Sequence, residues 1–278
     1  MTTTPLAPAP PATPSPLATA EPWDLVAEGY VAENLSSFEA FAREALRLVP
    51  ATGDVLDVAA GPGSLALQAA RTARQVHAID FAPAMLAQLH ARAAQAGIGN
   101  VITRVADGQA LPFPDGSFDA AYSMFGLIFF PDRLKGLREL VRVLRPGGRA
   151  VIASWPPSER VPMFAALFGA MNAELPNAGI GKSIAALGTE ADMRAELGAA
   201  GFSSVEVHEQ VVIPGSATPV ELWRTFSRGG APAVLMRRRM GDEGFAAFSD
   251  RIVKRLTDTL GPDPREMKLT ALLGVGTR

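Results

Sequence analysis

The chain has 278 residues, contains no cysteine and carries a formal net charge of −2 at pH 7. This length predicts one domain with additions rather than two complete ones. The lack of cysteine excludes disulfides and thiolate chemistry, and the slightly acidic balance argues against nucleic acid as a substrate. No apolar run reaches the ~18 residues of a membrane-spanning helix, so we expect a cytoplasmic protein without a membrane span.

The N-terminal region differs in composition from the rest. Residues 1–22 contain seven prolines and neither Lys nor Arg. This composition predicts a disordered Pro/Ala-rich tail, and the missing basic start and apolar segment argue against a secretory signal. Apolar periodicity then predicts a short helix over residues 23–30 and a second, amphipathic helix that ends near residue 49.

From residue 50 onward, short apolar runs alternate with helical patterns. This alternation is typical of a parallel sheet with helices on both faces. The predicted strands lie at residues 55–59, 76–80, 101–106, 118–125, 149–155, 205–213 and about 268–275. Helical periodicity between the last two strands predicts an insertion there. We therefore expect an α/β fold built on seven strands.

The most informative motif is an apolar run, residues 55–58, that ends in a glycine turn at residues 61–63 and is followed by a helical pattern. Such a strand–turn–helix directs free backbone N–H groups at a ligand beside the turn. A second apolar run, residues 76–79, brings Asp80 to the end of a strand, where a carboxylate can bind a ribose diol. The motif predicts a nucleoside cofactor, and by itself it leaves a dinucleotide and S-adenosylmethionine both open.

Two features favour S-adenosylmethionine over a dinucleotide. Asp57 is an acid inside the first strand, where the dinucleotide fold usually has an apolar residue, and the turn begins before the glycines. The arrangement Asp57-x-Ala59-x-Gly61-x-Gly63 resembles motif I, acid-x-Gly-x-Gly-x-Gly, of class I S-adenosylmethionine-dependent methyltransferases. Ala59 replaces the first glycine, which places a Cβ where the backbone must approach the methionine part of the ligand closely.

Four further segments resemble the same family and follow its order along the chain. They are Asp24-x-x-Ala27-x-x-Tyr30, residues 106–113, residues 115–123 and residues 144–149. The resemblance implies that Tyr30 closes over the bound cofactor and that Asp107 accepts a hydrogen bond from the adenine amino group. Together with motif I, these segments cover about residues 23 to 155.

Within that family, the chain is similar to the ubiquinone and menaquinone C-methyltransferase-like small-molecule methyltransferases. Residues 124–132 carry this similarity. The quinone enzymes have polar residues where this chain has Ile128, Phe129 and Phe130. The resemblance therefore carries over the reaction class and the cofactor, but not the quinone.

The resemblance implies a Rossmann-like seven-stranded methyltransferase sheet and in-line methyl transfer from S-adenosyl-L-methionine to an O, N or C atom of a small, aromatic or lipophilic acceptor. The implied cofactor-binding residues are Tyr30, Asp57, Ala59, Gly61, Gly63, Asp80, Phe81, Met85, Asp107, Gly108 and Gln109. The candidate substrate-pocket residues are Tyr122, Phe125, Phe129 and Phe130. The implied methyltransferase domain is 23–278, with a cofactor-binding core at 50–155 and substrate-cap elements at 23–49, 156–200 and 214–265.

No catalytic residue, metal site or oligomeric state is predicted. Histidine is the residue type best suited to act as a general base near neutral pH, but His77, His90 and His208 are each expected in a structural or surface role. An NAD(P)-dependent oxidoreductase is an alternative, although the chain has no Tyr-x-x-x-Lys pair. A nucleic-acid methyltransferase would need an [Asp/Asn/Ser]-Pro-Pro-aromatic motif after the fourth strand, which is absent. A non-catalytic or repurposed S-adenosylmethionine-binding protein would carry the same binding motifs.

Overall fold

The fold is described from a computed structural model for residues 15–176, 178, 180–181 and 186–278. Nine strands occur among these residues: β1 (Asp54–Val58), β2 (Gln75–Asp80), β3 (Val101–Val105), β4 (Phe118–Met124), β5 (Leu144–Ser154), β6 (Ser204–Val212), β7 (Ser216–Ala217), β8 (Arg265–Glu266) and β9 (Leu269–Thr277). The α-helices are α1 (Glu21–Leu48), α2 (Ala66–Ala69), α3 (Pro83–Gln95), α4 (Arg133–Val143), α5 (Pro162–Glu174), α6 (Glu190–Ala200), α7 (Pro219–Gly229) and α8 (Ala231–Leu260).

Seven strands form one mixed sheet in the order β3-β2-β1-β4-β5-β9-β6, and β7 pairs with β8 in a separate short ladder. Strands β1 to β5 are parallel to one another, whereas β9 lies antiparallel between β5 and β6. The predicted α/β, Rossmann-like sheet of seven strands is confirmed. Its order differs from the 3-2-1-4-5-6 order of the dinucleotide fold.

Two apolar layers cover the sheet, one on each face. On one face, α1, α2 and α3 bury side chains such as Phe41 and Leu89 against the strands. On the other face, α4 and α6 bury side chains such as Leu137 and Met193. The central strands β1 and β4 are largely buried because both faces are covered, whereas the edge strand β3 is partly exposed.

The N-terminal predictions need two corrections. The two helices expected over residues 23–49 form one continuous α1, because no glycine or proline interrupts the connecting segment 31–37. The tail boundary at residue 22 is wrong as well: Pro16–Ala18 form a 3₁₀ turn, and Trp23 Nε1–H donates a hydrogen bond to the Leu17 carbonyl at 3.0 Å. Residues 1–14 of the predicted tail lie outside the described residues.

The predicted helical insertion before the last strand is confirmed as α7 and α8. Helix α8 is kinked at Gly241, whose φ is +73°. Helices α5, α7 and α8 bury a third apolar cluster that includes Phe168, Trp223 and Phe248; we call these three helices the helical cap. None of the helices described is both long and apolar enough to cross a membrane.

Candidate functional site

The C-terminal ends of β1, β2 and β4 open onto a cavity of about 1440 Å³. Residues of α1 and of the helical cap line it as well. Pockets for a single small ligand usually measure roughly 300–1,000 Å³. The cavity therefore has room for a cofactor and a second molecule.

Most of the predicted site residues meet at this cavity. Those that line it are Tyr30, Ala59, Gly61, Asp80, Phe81, Met85, Asp107, Gly108, Gln109, Phe125, Phe129 and Phe130. Three predicted residues lie elsewhere. Asp57 is buried within β1, Gly63 lies in the loop that connects β1 to α2 but is packed against α3, and Tyr122 lies in the core.

The loop of residues 59–63, here called the cofactor loop, combines left-handed backbone with little side-chain bulk. Ala59, Gly61 and Gly63 have φ values of +58°, +53° and +85°. A Cβ at Gly61 would meet no atom within 4 Å, so its backbone is open to a ligand. A Cβ at Gly63 would lie 2.8 Å from Leu89 Cγ, so this glycine permits close packing on α3.

Ala59 is accommodated in place of the motif's first glycine by a glycine opposite it. A Cβ at Gly126 would overlap the Ala59 methyl group. The methyl therefore occupies the space that a side chain at Gly126 would need. Left-handed backbone costs a residue with a Cβ roughly 1–2 kcal/mol, so Ala59 retains strain at the site.

Asp57 is a buried carboxylate without a hydrogen-bond partner. Its side chain is 1% exposed, and neither oxygen has a partner among the described residues. Burial raises its pKa from 3.8 to about 8; the nearby Ala66 backbone N–H, which does not reach hydrogen-bonding geometry, offsets part of the rise, and Asp80 adds to it. Such a group is stabilised by any cation brought beside it, because buried charges need compensation.

Asp80 ends β2, and its carboxylate accepts hydrogen bonds from the cofactor loop and from the segment that leads into α3. Its Oδ2 accepts a hydrogen bond from Gly61 N–H at 2.8 Å, and its Oδ1 accepts one from Ala82 N–H at 2.9 Å. Burial raises the pKa of Asp80 to about 6, although these backbone bonds oppose the rise. Each carboxylate oxygen has further acceptor capacity, so a ligand hydroxyl can bind while the loop stays in place.

Asp107 follows β3 and shapes the next loop. Its Oδ1 accepts a hydrogen bond from Gln109 N–H at 2.8 Å, and Gln109 Oε1 accepts one from Asp132 N–H at 2.9 Å. A Cβ at Gly108 would lie 2.5 Å from Phe130 Cζ, so this glycine brings the loop against the aromatic ring. The backbone and carboxylate of this loop therefore face the cavity in a fixed arrangement.

Helix α1 contributes Tyr30 to the wall of the cavity. Tyr30 lines the cavity and stacks on Phe38 with ring centroids 5.3 Å apart. Burial and the neighbouring Asp80 raise the pKa of Tyr30, so its hydroxyl stays protonated. Nearer the N-terminus of α1, Asp24 Oδ1 accepts a hydrogen bond from Ala84 N–H at 2.8 Å. This bond connects α1 to the start of α3.

The aromatic residues that line the cavity pack against one another. Phe125, at the end of β4, has a φ of +63° and stacks on Trp155 at 4.2 Å. Phe129 packs edge-on against Trp23 at 4.9 Å. The strained backbone at Phe125 is typical of functional sites.

The prediction that Tyr122 lines the substrate pocket is wrong. Its side chain is 0% exposed and belongs to the sheet core. Its hydroxyl donates a hydrogen bond to the Val49 carbonyl at 2.8 Å. This hydrogen bond connects β4 to the segment that leads from α1 to β1. The role of Tyr122 is therefore structural.

Met85 and Phe81 lie where β2 leads into α3. Met85 is 2% exposed and packs with Leu17 and Val26, yet it also borders the cavity. Phe81 is half-buried and lines the cavity beside it. Met85 therefore serves the core and the cavity wall together.

The sequence reasoning missed the residues that the helical cap and α1 contribute to the cavity. They include Trp23, Phe164, Phe168, Phe226, Met236 and Met240, and Trp155 joins them from the end of β5. Their apolar periodicity was visible, but a core residue and a pocket residue produce the same pattern. Only the position of the helical cap over the sheet distinguishes them.

None of the three histidines lines the cavity. The His77 ring packs between Phe113 and Phe118, and burial lowers its pKa. Across the described part of the chain, no three His, Asp or Glu side chains converge as a metal site would require. The geometry identifies no general base.

Known proteins are similar to this chain over the segment from β1 to the start of β5, which contains the cofactor loop. A family model described as "Methyltransferase domain" matches residues 55–148. An uncharacterised protein of Mycobacterium tuberculosis is 46% identical over 101 residues, which is 36% of each chain. A demethylmenaquinone methyltransferase of Thermus thermophilus is 46% identical over 114 residues, 40% of this chain and 51% of that relative. The matched stretch thus spans about half or less of these relatives.

The YcgJ protein of Bacillus subtilis has a similar fold. Its crystal structure superposes with a TM-score of 0.58 at 21% identity, over 87% of this chain and 98% of that one. The family match covers β1 to the start of β5, which are the strands that carry the cofactor loop, Asp80 and Asp107. Residues 55–148 therefore match a methyltransferase domain, and over this segment the chain resembles class I S-adenosylmethionine-dependent methyltransferases.

Proposed function

We propose that this protein binds S-adenosyl-L-methionine and transfers its methyl group to a small aromatic or lipophilic acceptor. One observation carries the proposal: Asp80 and Asp107, at the ends of adjacent strands β2 and β3, line the same cavity as the open backbone of Gly61. Two carboxylates and a glycine loop placed in this way can hold the ribose, the adenine and the amino acid part of one molecule.

Two features of the cofactor loop fit this cofactor. The backbone of Gly61 faces open space that a ligand can fill. Beneath the loop, Asp57 is a buried carboxylate that lacks a partner, and the amino group of a bound methionine moiety would supply the missing positive charge. When bound, the cofactor supplies a methyl group activated on a sulfonium.

Each part of the cofactor is assigned to residues that line the cavity. Asp80 would accept hydrogen bonds from the ribose hydroxyls while it holds the Gly61 loop. Asp107 and the Gly108–Gln109 backbone would address the adenine edge, and Phe81 and Met85 would pack against the base. Tyr30 would cover the cofactor from α1.

On the acceptor side, the chain's contribution is alignment and exclusion of water. Phe125, Phe129 and Phe130 line the cavity next to the loops, and aromatic faces stabilise a nearby cation by roughly 0.5–2 kcal/mol. Good alignment of two reactants supplies up to about 7–11 kcal/mol in intramolecular models. A site without a general base can therefore support this transfer, to an O, N or C atom.

Calorimetry with adenosylhomocysteine tests the cofactor site. We expect Asp80→Ala and Asp107→Ala each to weaken binding about tenfold or more, since a hydrogen bond to a charged group contributes roughly 1.5–3 kcal/mol. Asp115→Ala is the matched control, because Asp115 is exposed, pairs with Arg142 and lies outside the cavity. Unchanged affinity in both cavity variants, or no binding by the wild type, would refute the proposal.

Two alternatives are decided by related measurements. An NAD(P)-dependent oxidoreductase would bind NADH or NADPH in the same titration and not adenosylhomocysteine. A repurposed binding protein would bind adenosylhomocysteine but would release no labelled methyl group to any acceptor in a small-molecule extract. The antiparallel β9 within the sheet does not favour the oxidoreductase, because that fold has the order 3-2-1-4-5-6.

The proposal includes a cytoplasmic location and a small-molecule acceptor rather than nucleic acid. The net charge of −2 supports the second point, since nucleic-acid-binding domains are usually basic. Cell fractionation tests the location, and a filter-binding assay with DNA and RNA tests the acceptor class.

A further inference from the structure

Methionine side chains form part of the apolar wall of the cavity, and three of them lie on α5 and α8 of the helical cap. Six of the nine methionines in the chain line the cavity: Met85, Met124, Met163, Met236, Met240 and Met267. Methionine is unbranched and polarizable, so walls built from it adapt to ligands of different outline. This side of the cavity suits an apolar ligand body.

Charged side chains are few around this cavity. Among the described residues that line it, they are Glu33, Asp80, Asp107, Glu174 and Arg239. Asp80 and Asp107 belong to the proposed adenosine site. Arg239 is the one cation of this set.

The two other acids are already paired. Glu33 forms an ion pair with Arg228 at 3.3 Å. Glu174 forms ion pairs with Arg251 at 2.7 Å and with Arg255 at 2.5 Å. None of these three arginines lines the cavity, so neither acid depends on a ligand or on Arg239 for its countercharge.

Arg239 differs from the two arginines before it. Arg237 pairs with Asp242 at 2.7 Å, and Arg238 pairs with Glu21. Arg239 has no acidic partner in the part of the chain that the structure describes, and it alone of the three borders the cavity.

The position of Arg239 on α8 fits a role in binding. It stands among the cavity-lining Met236 and Met240, just before the kink at Gly241. The Arg239 side chain is exposed, so an ion pair formed there stays partly solvated and adds a modest preference. The planar guanidinium also matches the geometry of a carboxylate or sulfonate.

We propose that the acceptor is amphipathic: an apolar or aromatic body lies against the methionine-rich wall, and an anionic group pairs with Arg239. This inference rests on the proposed function, because that function makes this part of the cavity the acceptor site. It assigns Arg239 as the residue that selects anionic over neutral acceptors.

A pair of fluorescent probes tests the charge preference directly. 8-Anilinonaphthalene-1-sulfonate and N-phenyl-1-naphthylamine share one ring system and differ in the sulfonate. Their affinities would be measured on the full chain saturated with adenosylhomocysteine, so that the adenosine site is occupied. The variants are Arg239→Gln and, as the matched control, Arg237→Gln, which removes a neighbouring charge that does not border the cavity.

We expect the wild type to bind the sulfonate up to about fivefold more tightly than the neutral probe, as an ion pair on an exposed side chain allows. Arg239→Gln should remove this preference without weakening the neutral probe, and Arg237→Gln should retain it. Equal probe affinities in the wild type, an unchanged preference in Arg239→Gln, or the same loss in both variants would overturn the inference. Calorimetry of adenosylhomocysteine on the same samples tests the proposed function separately.

Discussion

Asp57 gives the most direct test of the electrostatics of the site. Its pKa is raised from 3.8 to about 8 by burial, and its oxygens have no partner among the described residues. An acid with a raised pKa binds its proton more tightly in the folded than in the unfolded chain. The free energy of unfolding therefore falls as the pH rises between these two values.

The magnitude follows from the shift. One pKa unit corresponds to about 1.4 kcal/mol, so raising the pH from 6 to 8 should cost the ligand-free protein about 2 kcal/mol at this position. For a domain of this size, that change lowers Tm by roughly 4–8 °C. Asp57→Asn carries no titrating group, and it should gain this amount over the wild type between the two pH values.

The assay is thermal and urea unfolding of both proteins at pH 6, 7 and 8. Asp54→Asn is the matched control: Asp54 lies in the same strand but pairs with Arg74 and Arg145. That variant should lose stability by a similar amount at every pH. If Asp57→Asn followed the pH dependence of the wild type, the carboxylate would not be held at a raised pKa, and the reasoning would fail.

Three further predictions concern the same site. Adenosylhomocysteine should bind more tightly as the pH rises from 5 to 8, because the ionised forms of Asp57 and Asp80 favour the ligand. Their ligand-free pKa values are about 8 and about 6. Calorimetry at constant ionic strength would show an affinity independent of pH if neither acid contacts the ligand. A double-mutant cycle measured by urea unfolding tests the contact between residues 59 and 126. Ala59→Gly should stabilise the protein by about 1 kcal/mol, and Gly126→Ala should destabilise it by about 1–3 kcal/mol, but by less when Ala59→Gly is present. Additive effects of the two substitutions would contradict the contact between these residues. Tyr30→Phe should weaken adenosylhomocysteine binding, whereas Tyr122→Phe should lower stability by about 1 kcal/mol and leave that affinity unchanged; the reverse pattern would exchange their roles.

The parts of the fold that were predictable are those with local signals. The glycine loop is one, because the positive φ at residues 61 and 63 favours glycine, and glycine at these positions is visible in the sequence itself. The strands are another, because fully buried parallel strands appear as continuous apolar runs. Asp80 and Asp107 follow such runs, and parallel strands bring their carboxyl ends to one edge of the sheet.

Errors arose where the signal was absent or ambiguous. Apolar periodicity predicts two helices where the structure has the single helix α1, because periodicity alone does not mark a helix boundary and no glycine or proline separates the two halves. Tyr122 and Phe125 are three residues apart in one aromatic-rich segment, yet one is sealed in the core and the other lines the cavity. Both belong to the same apolar cluster, but Tyr122 lies within β4 whereas Phe125 follows its end, where the cavity begins.

By itself, then, the sequence determined the strands, the turn chemistry and the acids at the strand ends, because each depends on residues close together along the chain. Only the tertiary structure decided that β9 enters the sheet between β5 and β6, that Asp57 lacks a partner, and that Arg239 joins the cavity wall. These features depend on contacts between segments far apart in the chain, and such contacts are set by the packing of the whole molecule.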